Sequence, residues 1–111
     1  MIIQTTKAVQ QDLAKDTSQY LTINTVQVLT VSGTSAVSAA VNLATNKIVI
    51  STTTDCWVAI GSNPTAVSRT ANNFFMAAGS QSFPIAIVPG ISKIAVIQDT
   101  AGGYTSILES M

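Results

Sequence analysis

The clearest pattern in the chain is a strict alternation of side-chain types from Lys47 to Ile60. A period of two places alternate side chains on one face of an extended chain, which no helix does. The polar triplet at positions 53–55 interrupts the run, so we expect two strands with a common core-facing side. That side comprises Ile48, Ile50, Thr52, Thr54, Cys56, Val58 and Ile60.

Short β-type segments and turn signals continue on both sides of this run. Residues 22–31 are dense in Thr, Val, Ile and Leu, whereas the Ala- and Ser-rich residues 36–43 fit either a strand or a loop. Asn63-Pro64 ends the central run, and residues 66–73 have the composition of a loop that holds the lone Arg69.

The C-terminal third repeats the alternation of strand and turn. Pro84 cannot donate to a β-ladder, which predicts that its strand lies at a sheet edge or carries a bulge. Pro89-Gly90 is a strong turn signal, and residues 93–98 and 104–108 have strand composition. Between them, Ala101-Gly102-Gly103 is interpreted as a hairpin turn. Seven or eight short strands at this spacing predict an all-β fold, an antiparallel β-sandwich or jelly roll.

The first twenty residues differ from the rest of the chain. They are mostly polar, and no helical period is sustained in them. We therefore expect an extended N-terminal arm over residues 1–20 and a β-sandwich domain over residues 21–111. The apolar anchors of the arm, which are candidate interface residues, are Ile2, Ile3, Val9 and Leu13.

The charge content argues against several classes of partner. Only 9% of the residues are charged and the formal net charge is +0, with no basic stripe. Binding to nucleic acid or to an anionic membrane is therefore not expected. Because little charge repulsion opposes association, the composition indicates a surface partly covered by partner subunits, with a sticky monomer as the alternative. The assemblies we consider are a homotrimer and a homodimer.

Catalytic and metal chemistry lack their usual side chains in this sequence. There is no histidine, and Cys56 is the single cysteine, which we interpret as a small buried residue. Asp55 and Asp99 sit at strand ends, where aspartate commonly forms local hydrogen bonds. No calcium loop or phosphate-binding loop is present, so we expect no enzyme activity and no cofactor.

Targeting signals are also missing from the pattern. Met1-Ile2-Ile3 is followed at once by polar residues, and no apolar run approaches the roughly 20 residues of a membrane span. We therefore expect synthesis in a reducing cytoplasm and no membrane partner.

Two aromatic residues are candidates for a binding surface. Trp57 and Tyr104 would suit either a subunit interface or a carbohydrate-stacking platform on a β-sandwich. We favour the interface, because few amide and carboxylate side chains accompany the two rings in the sequence.

The chain resembles small structural proteins of tailed bacteriophages over roughly residues 45–109. The resemblance is carried by the phrases CWVAIGSNPTA at 56–66, FMAAG at 75–79, Phe83, VPG at 88–90, KIAVIQD at 93–99, Gly103, Ile107 and Glu109. It implies a β-sandwich or jelly-roll head protein located in the virion, and it transfers no active site.

This resemblance leads to a first hypothesis, a capsid decoration (cement) protein on the capsid surface. Its partners would be the major capsid protein and further copies of itself, with the arm reaching an adjacent subunit by strand addition. The alternatives are a head–tail connector, a tail or fibre component, or a carbohydrate-binding module that uses Trp57.

Overall fold

The computed structural model describes residues 23–111, and these residues form eight strands and no helix. The predicted arm at residues 1–20 lies outside the described residues. The strands are β1 Ile23–Val31, β2 Ala36–Val37, β3 Lys47–Thr52, β4 Cys56–Gly61, β5 Phe74–Met76, β6 Ile85–Ala86, β7 Lys93–Gln98 and β8 Gly103–Ser110.

The strands form two antiparallel sheets of four, which confirms the all-β sandwich. The first sheet has the order β1-β8-β3-β6 and the second has the order β2-β7-β4-β5. Strand pairs β1·β8, β2·β7, β3·β6 and β4·β5 are all hydrogen-bonded, as in one long hairpin rolled around itself. This strand order is that of a jelly roll.

The long alternating run divides between the two sheets as its pattern predicts. β3 lies in the first sheet and β4 in the second, and the chain crosses at the 53–55 corner. In both strands the even-numbered side chains point into the core, so the same alternation continues from the first sheet into the second. The buried core cluster consists of Val31, Val41, Ile48, Ile50, Cys56, Val58, Met76, Ile94, Val96 and Ile107.

Connections within the described residues cross from one sheet to the other with one exception. Residues 62–73 join β4 to β5 inside the second sheet. This segment folds over the outer face of that sheet, where the buried Ala66 packs against Ala59 and Ala95. The backbone N–H of Ala66 donates to Ser35 Oγ at 3.0 Å, which fastens the segment to the β1–β2 connection.

The interpretation of Ala101-Gly102-Gly103 as a hairpin turn is wrong, because β7 and β8 belong to different sheets. The two glycines allow the backbone of this crossover to pack closely against Val31 and Thr53. A Cβ on Gly103 would lie 2.6 Å from Thr53 Oγ1, and one on Gly102 would lie 2.7 Å from the Val31 carbonyl oxygen. The crossover can therefore lie directly against the 53–55 corner.

Pro84 and Pro89 lie at the sheet edge and at the turn that the sequence predicts for them. Pro84 immediately precedes β6, an edge strand of the first sheet. Pro89 and Gly90 form a turn in which the Ile91 N–H donates to the Val88 carbonyl at 3.2 Å. Gly90 has φ of 75°, which a type II turn requires after its proline. Of the ambiguous residues 36–43, only Ala36–Val37 form a strand.

Candidate functional site

Trp57 projects from the outer face of the second sheet, because its neighbours Cys56 and Val58 point into the core. Its strand partners are Phe75 on β5 and Ile97 on β7. The Trp57 and Phe75 rings pack edge to face with centroids 5.3 Å apart and an interplanar angle of 60°. Such a pair adds about 0.5–1.5 kcal/mol beyond its buried area.

The indole of Trp57 is also fixed at its polar end. Its Nε1–H donates to Asp99 Oδ1 at 3.0 Å, and Arg69 Nη2 lies 3.2 Å from the same oxygen. Asp99 is largely buried, with a side chain 15% exposed, whereas the Arg69 side chain is 68% exposed. The hydrogen bond from Trp57 therefore carries most of the stabilisation, and the screened ion pair adds little.

Asp99 and Arg69 are residues that the sequence reasoning did not place beside Trp57. Asp99 lies in the crossover after β7, and Arg69 belongs to the 62–73 segment, where it adopts a φ of 54°. The segment that follows Asn63-Pro64 was interpreted only as a loop. No local pattern indicates that it returns to the tryptophan.

Trp57 and Tyr104 do not form the shared platform considered for carbohydrate binding. Tyr104 lies on β8 of the first sheet, and its neighbour Thr105 is buried in the interior. The exposed tyrosine therefore faces outward on the opposite side of the sandwich from Trp57. Each remains a separate interface candidate. The other predicted interface residues, Ile2, Ile3, Val9 and Leu13, lie outside the described residues.

Cys56 is a free, fully buried thiol, as the sequence predicts. Its Sγ lies 3.6 Å from Thr52 Oγ1 and 3.9 Å from Thr105 Oγ1, between the two sheets. Thr105 in turn donates to Thr52 at 3.3 Å. These hydroxyls give the interior a small polar cluster that satisfies itself without a charged group.

Glu109 is a buried carboxylate that the sequence reasoning did not single out. It is 1% exposed and faces the interior from the end of β8. Its Oε1 accepts hydrogen bonds from the Asn42 backbone N–H at 2.7 Å and Thr45 Oγ1 at 2.8 Å. Its Oε2 accepts one from Gln27 Nε2 at 2.8 Å. A buried polar group is tolerated only where it has such hydrogen-bond partners.

Gln27 extends this network to the edge of the sandwich. Its side-chain oxygen accepts the Ala39 N–H at 3.0 Å, and its amide nitrogen also donates to the Ala39 carbonyl at 3.3 Å. The Gln27 side chain thus pairs with the Ala39 backbone through two hydrogen bonds, as a neighbouring strand would. Glu109 and Gln27 together link β8 and β1 to residues 39–45 by hydrogen bonds.

All three carboxylates of the described residues accept hydrogen bonds inside the molecule. Asp55 Oδ1 accepts the Ala78 N–H at 2.7 Å, Asp99 accepts from Trp57, and Glu109 accepts three donors. Within residues 23–111, no three His, Cys, Asp or Glu side chains cluster as metal ligands. Each of these hydrogen bonds links a carboxylate to a different segment of the chain.

An apolar groove of about 580 Å³ opens along the side of the sandwich formed by β5 and the approach to β6. Phe74, Phe75 and Phe83 line it, together with the polar side chains of Ser80 and Gln81. Phe83 is 88% exposed. Its backbone is nevertheless held in place, because the adjacent Ser82 donates its N–H to the Ile50 carbonyl at 2.7 Å. Exposed rings on a fixed backbone are suited to contact with a partner.

The sequence reasoning used Phe83 only as part of a family resemblance and did not propose Phe74 as a binding residue. The signal that could have identified the groove is the phrase Phe83-Pro84, since a proline forces this part of the chain to a sheet edge. A large aromatic residue at such an edge has few neighbours to cover it.

Comparison with known proteins gives no match for this chain among family models, curated proteins or solved structures. In the described part of the chain, no helix has the length and hydropathy needed to cross a membrane.

Proposed function

We propose that the chain is a non-enzymatic structural protein of a bacteriophage virion. In this proposal it is a capsid decoration (cement) protein that binds the assembled head and stabilises contacts between major capsid subunits. The jelly roll provides a rigid frame, and its carboxylates support that frame rather than line a reaction centre.

The observation that carries the proposal is the apolar groove beside β5. Three phenylalanines line it, Phe74 and Phe75 on β5, which pairs with β4, and Phe83 beside Ser82, which is bonded to β3, and none of the lining residues is charged. An apolar segment of the major capsid protein would bury these rings without stranding a charge. Interfaces gain most from such aromatic anchors in desolvated pockets.

The low charge of the whole chain agrees with this role. A shell-binding protein covers broad neutral surfaces, and unpaired buried charges would cost free energy at each contact. The many equivalent sites on a symmetric head would supply avidity if subunits are linked to one another.

The test compares Phe83→Ala with Val67→Ala as the matched control on the 62–73 segment. Each purified protein is mixed with phage heads assembled without this chain, and bound copies per head are counted by gel densitometry. Phe83→Ala should weaken binding at least about tenfold, because an anchor residue contributes roughly 1.4 kcal/mol or more. Val67→Ala should bind like the parent.

Equal binding by the two variants would reject the groove as the contact, and no binding by the parent would reject the decoration role. Copy number separates the alternative virion roles. Hundreds of copies agree with decoration, whereas about a dozen would indicate a connector or tail component, as expected from the symmetry of each assembly.

A further inference from the structure

The four edge strands of the sandwich are unequal. In the described residues, β2 and β6 have two residues each and β5 has three, whereas β1 has nine. β1 hydrogen-bonds to β8 on one side, and no described strand pairs with its other side. Short strands and a neighbouring proline protect the other edges, as soluble β-proteins commonly require.

Within residues 23–111, the β1 edge shows few of the usual devices against self-association. No Asp, Glu, Lys or Arg occurs between Asp16 and Lys47, so the strand itself carries no charged side chain, and the neighbouring Glu109 on β8 is buried in the interior, where Gln27 donates to it at 2.8 Å. β1 contains no proline, and its one irregularity lies near its start, where Asn24 is an extra residue opposite the consecutive Glu109 and Ser110 of β8, so the regular edge runs from Thr25 to Val31. Val26 and Val28 are 50% and 63% exposed on its outward face.

We propose that β1 is a self-association edge that pairs antiparallel with β1 of a second copy, joining two four-stranded sheets into one of eight strands. This proposal does not depend on the virion role. A second copy is the occupant that the charge distribution favours. A two-fold interface sets each residue near its own symmetry mate, so any charge close to the axis would face a like charge. β1 itself carries no charged side chain, and Glu109 beside it on β8 is buried in the interior of its own copy.

The side-chain pattern selects a register for this pairing. With Gln27 on the two-fold axis, Val26 of one copy lies directly across from Val28 of the partner subunit. Both valines face outward, since their partners on β8 are Leu108 and Ser106, whereas the intervening Ile107 is buried. Cross-strand pairs of β-branched residues stabilise antiparallel sheets. The pairing therefore covers the two exposed valines of each copy.

The size of the contact sets its strength. A nine-residue strand is about 30 Å long, and a sheet with its side chains is about 10 Å thick. Because Asn24 interrupts the regular edge, pairing then buries at most roughly 300 Å² on each partner, less than the roughly 800 Å² per partner of a standard stable interface. We therefore expect a reversible, concentration-dependent dimer.

The test is sedimentation velocity of the full chain over an about hundredfold range of concentration. The parent should shift from monomer to dimer. Val28→Lys should weaken the dimer at least tenfold, because it places a charge opposite an apolar side chain and two lysines diagonally across the axis. Val67→Lys, an equally drastic change on the 62–73 segment, should dimerise like the parent.

A second variant traps the register. Val26→Cys combined with Val28→Cys should form a covalent dimer under mild oxidation, and Val67→Cys should not at the same concentration. Cys56 does not interfere, because it is buried.

Several results would overturn the proposal. These are a monomer at every concentration without cross-linking, a trimer, and a dimer that Val28→Lys leaves unchanged. Concentration-independent protection of the β1 amides from hydrogen exchange in a monomer would show that residues of the same chain cover the edge, which also rejects self-pairing.

Discussion

The two open sides of the sandwich differ in what they present to solvent. On one side, β1 offers a long, uncharged row of backbone groups supported from the interior by Gln27 and Glu109. On the other side, β5 and β6 are too short to offer much backbone, and Phe74, Phe75 and Phe83 project instead. One side exposes main chain and the other exposes aromatic rings.

This difference separates two kinds of recognition in one small domain. Backbone pairing gains its affinity from hydrogen bonds that every sequence can make, and it favours another strand of compatible charge. An aromatic groove depends on the shape of what fills it. A domain with both can bind to itself on one side and to a different protein on the other.

The largest expected effect is on the β1 side. Glu109→Ala should lower the free energy of unfolding by about 3–5 kcal/mol, because it removes the buried acceptor of three hydrogen bonds, from the Asn42 N–H, Thr45 and Gln27, and leaves a cavity. Urea unfolding measures the loss. Hydrogen exchange should also show β1 opening more readily than β5, which would sharpen the contrast between the two sides.

Glu109→Gln is the matched control for that experiment. It preserves the shape of the side chain and one acceptor oxygen, so its loss of stability should be clearly smaller than that of the alanine variant. If the free energy of unfolding of Glu109→Ala lies within about 1 kcal/mol of the parent value, the carboxylate does not stabilise the β1 side.

A smaller effect is expected beside the aromatic side. Asp99→Ala should cost about 1–2 kcal/mol, because the Trp57 N–H loses its carboxylate acceptor. The emission of Trp57, the single tryptophan, should change as its surroundings loosen. Arg69→Ala is the control and should change stability by less than about 0.5 kcal/mol, since exposed ion pairs contribute little. Equal losses for both variants would assign the stabilisation to the ion pair instead.

The smallest effect on stability is expected from removing residues 1–18. If the predicted arm acts only in binding, the deletion should leave the thermal midpoint of the sandwich nearly unchanged and should weaken binding to phage heads. Differential scanning calorimetry and the densitometry of bound copies measure the two quantities. A parallel loss of both would show that these residues belong to the folded domain.

The parts of the fold that depend on local pattern are predictable from the sequence. The period of two from Lys47 to Ile60, with its polar interruption at 53–55, gives two strands and their inward faces correctly. Pro84 gives an edge strand for a steric reason that holds in any sheet. In each case the physical cause acts within a few neighbouring residues.

The features that sequence reasoning missed depend on distant segments. Gly102-Gly103 resembles a hairpin turn, but whether the flanking strands pair or cross depends on the arrangement of both sheets. Glu109 is charged and near the C-terminus, yet it is buried because donors from 64 to 82 residues away meet it. Asp99 and Arg69 likewise come from distant segments to lie beside Trp57. No local sequence pattern predicts these long-range contacts.

The buried thiol of Cys56 has a practical consequence. It is the single cysteine of the chain and lies between the two sheets with no exposed surface. A thiol reagent can reach it only when the sheets separate, so the labelling rate measures how often the sandwich opens under native conditions. The natural sequence therefore carries its own reporter, which can be followed while either side of the domain is occupied by a partner.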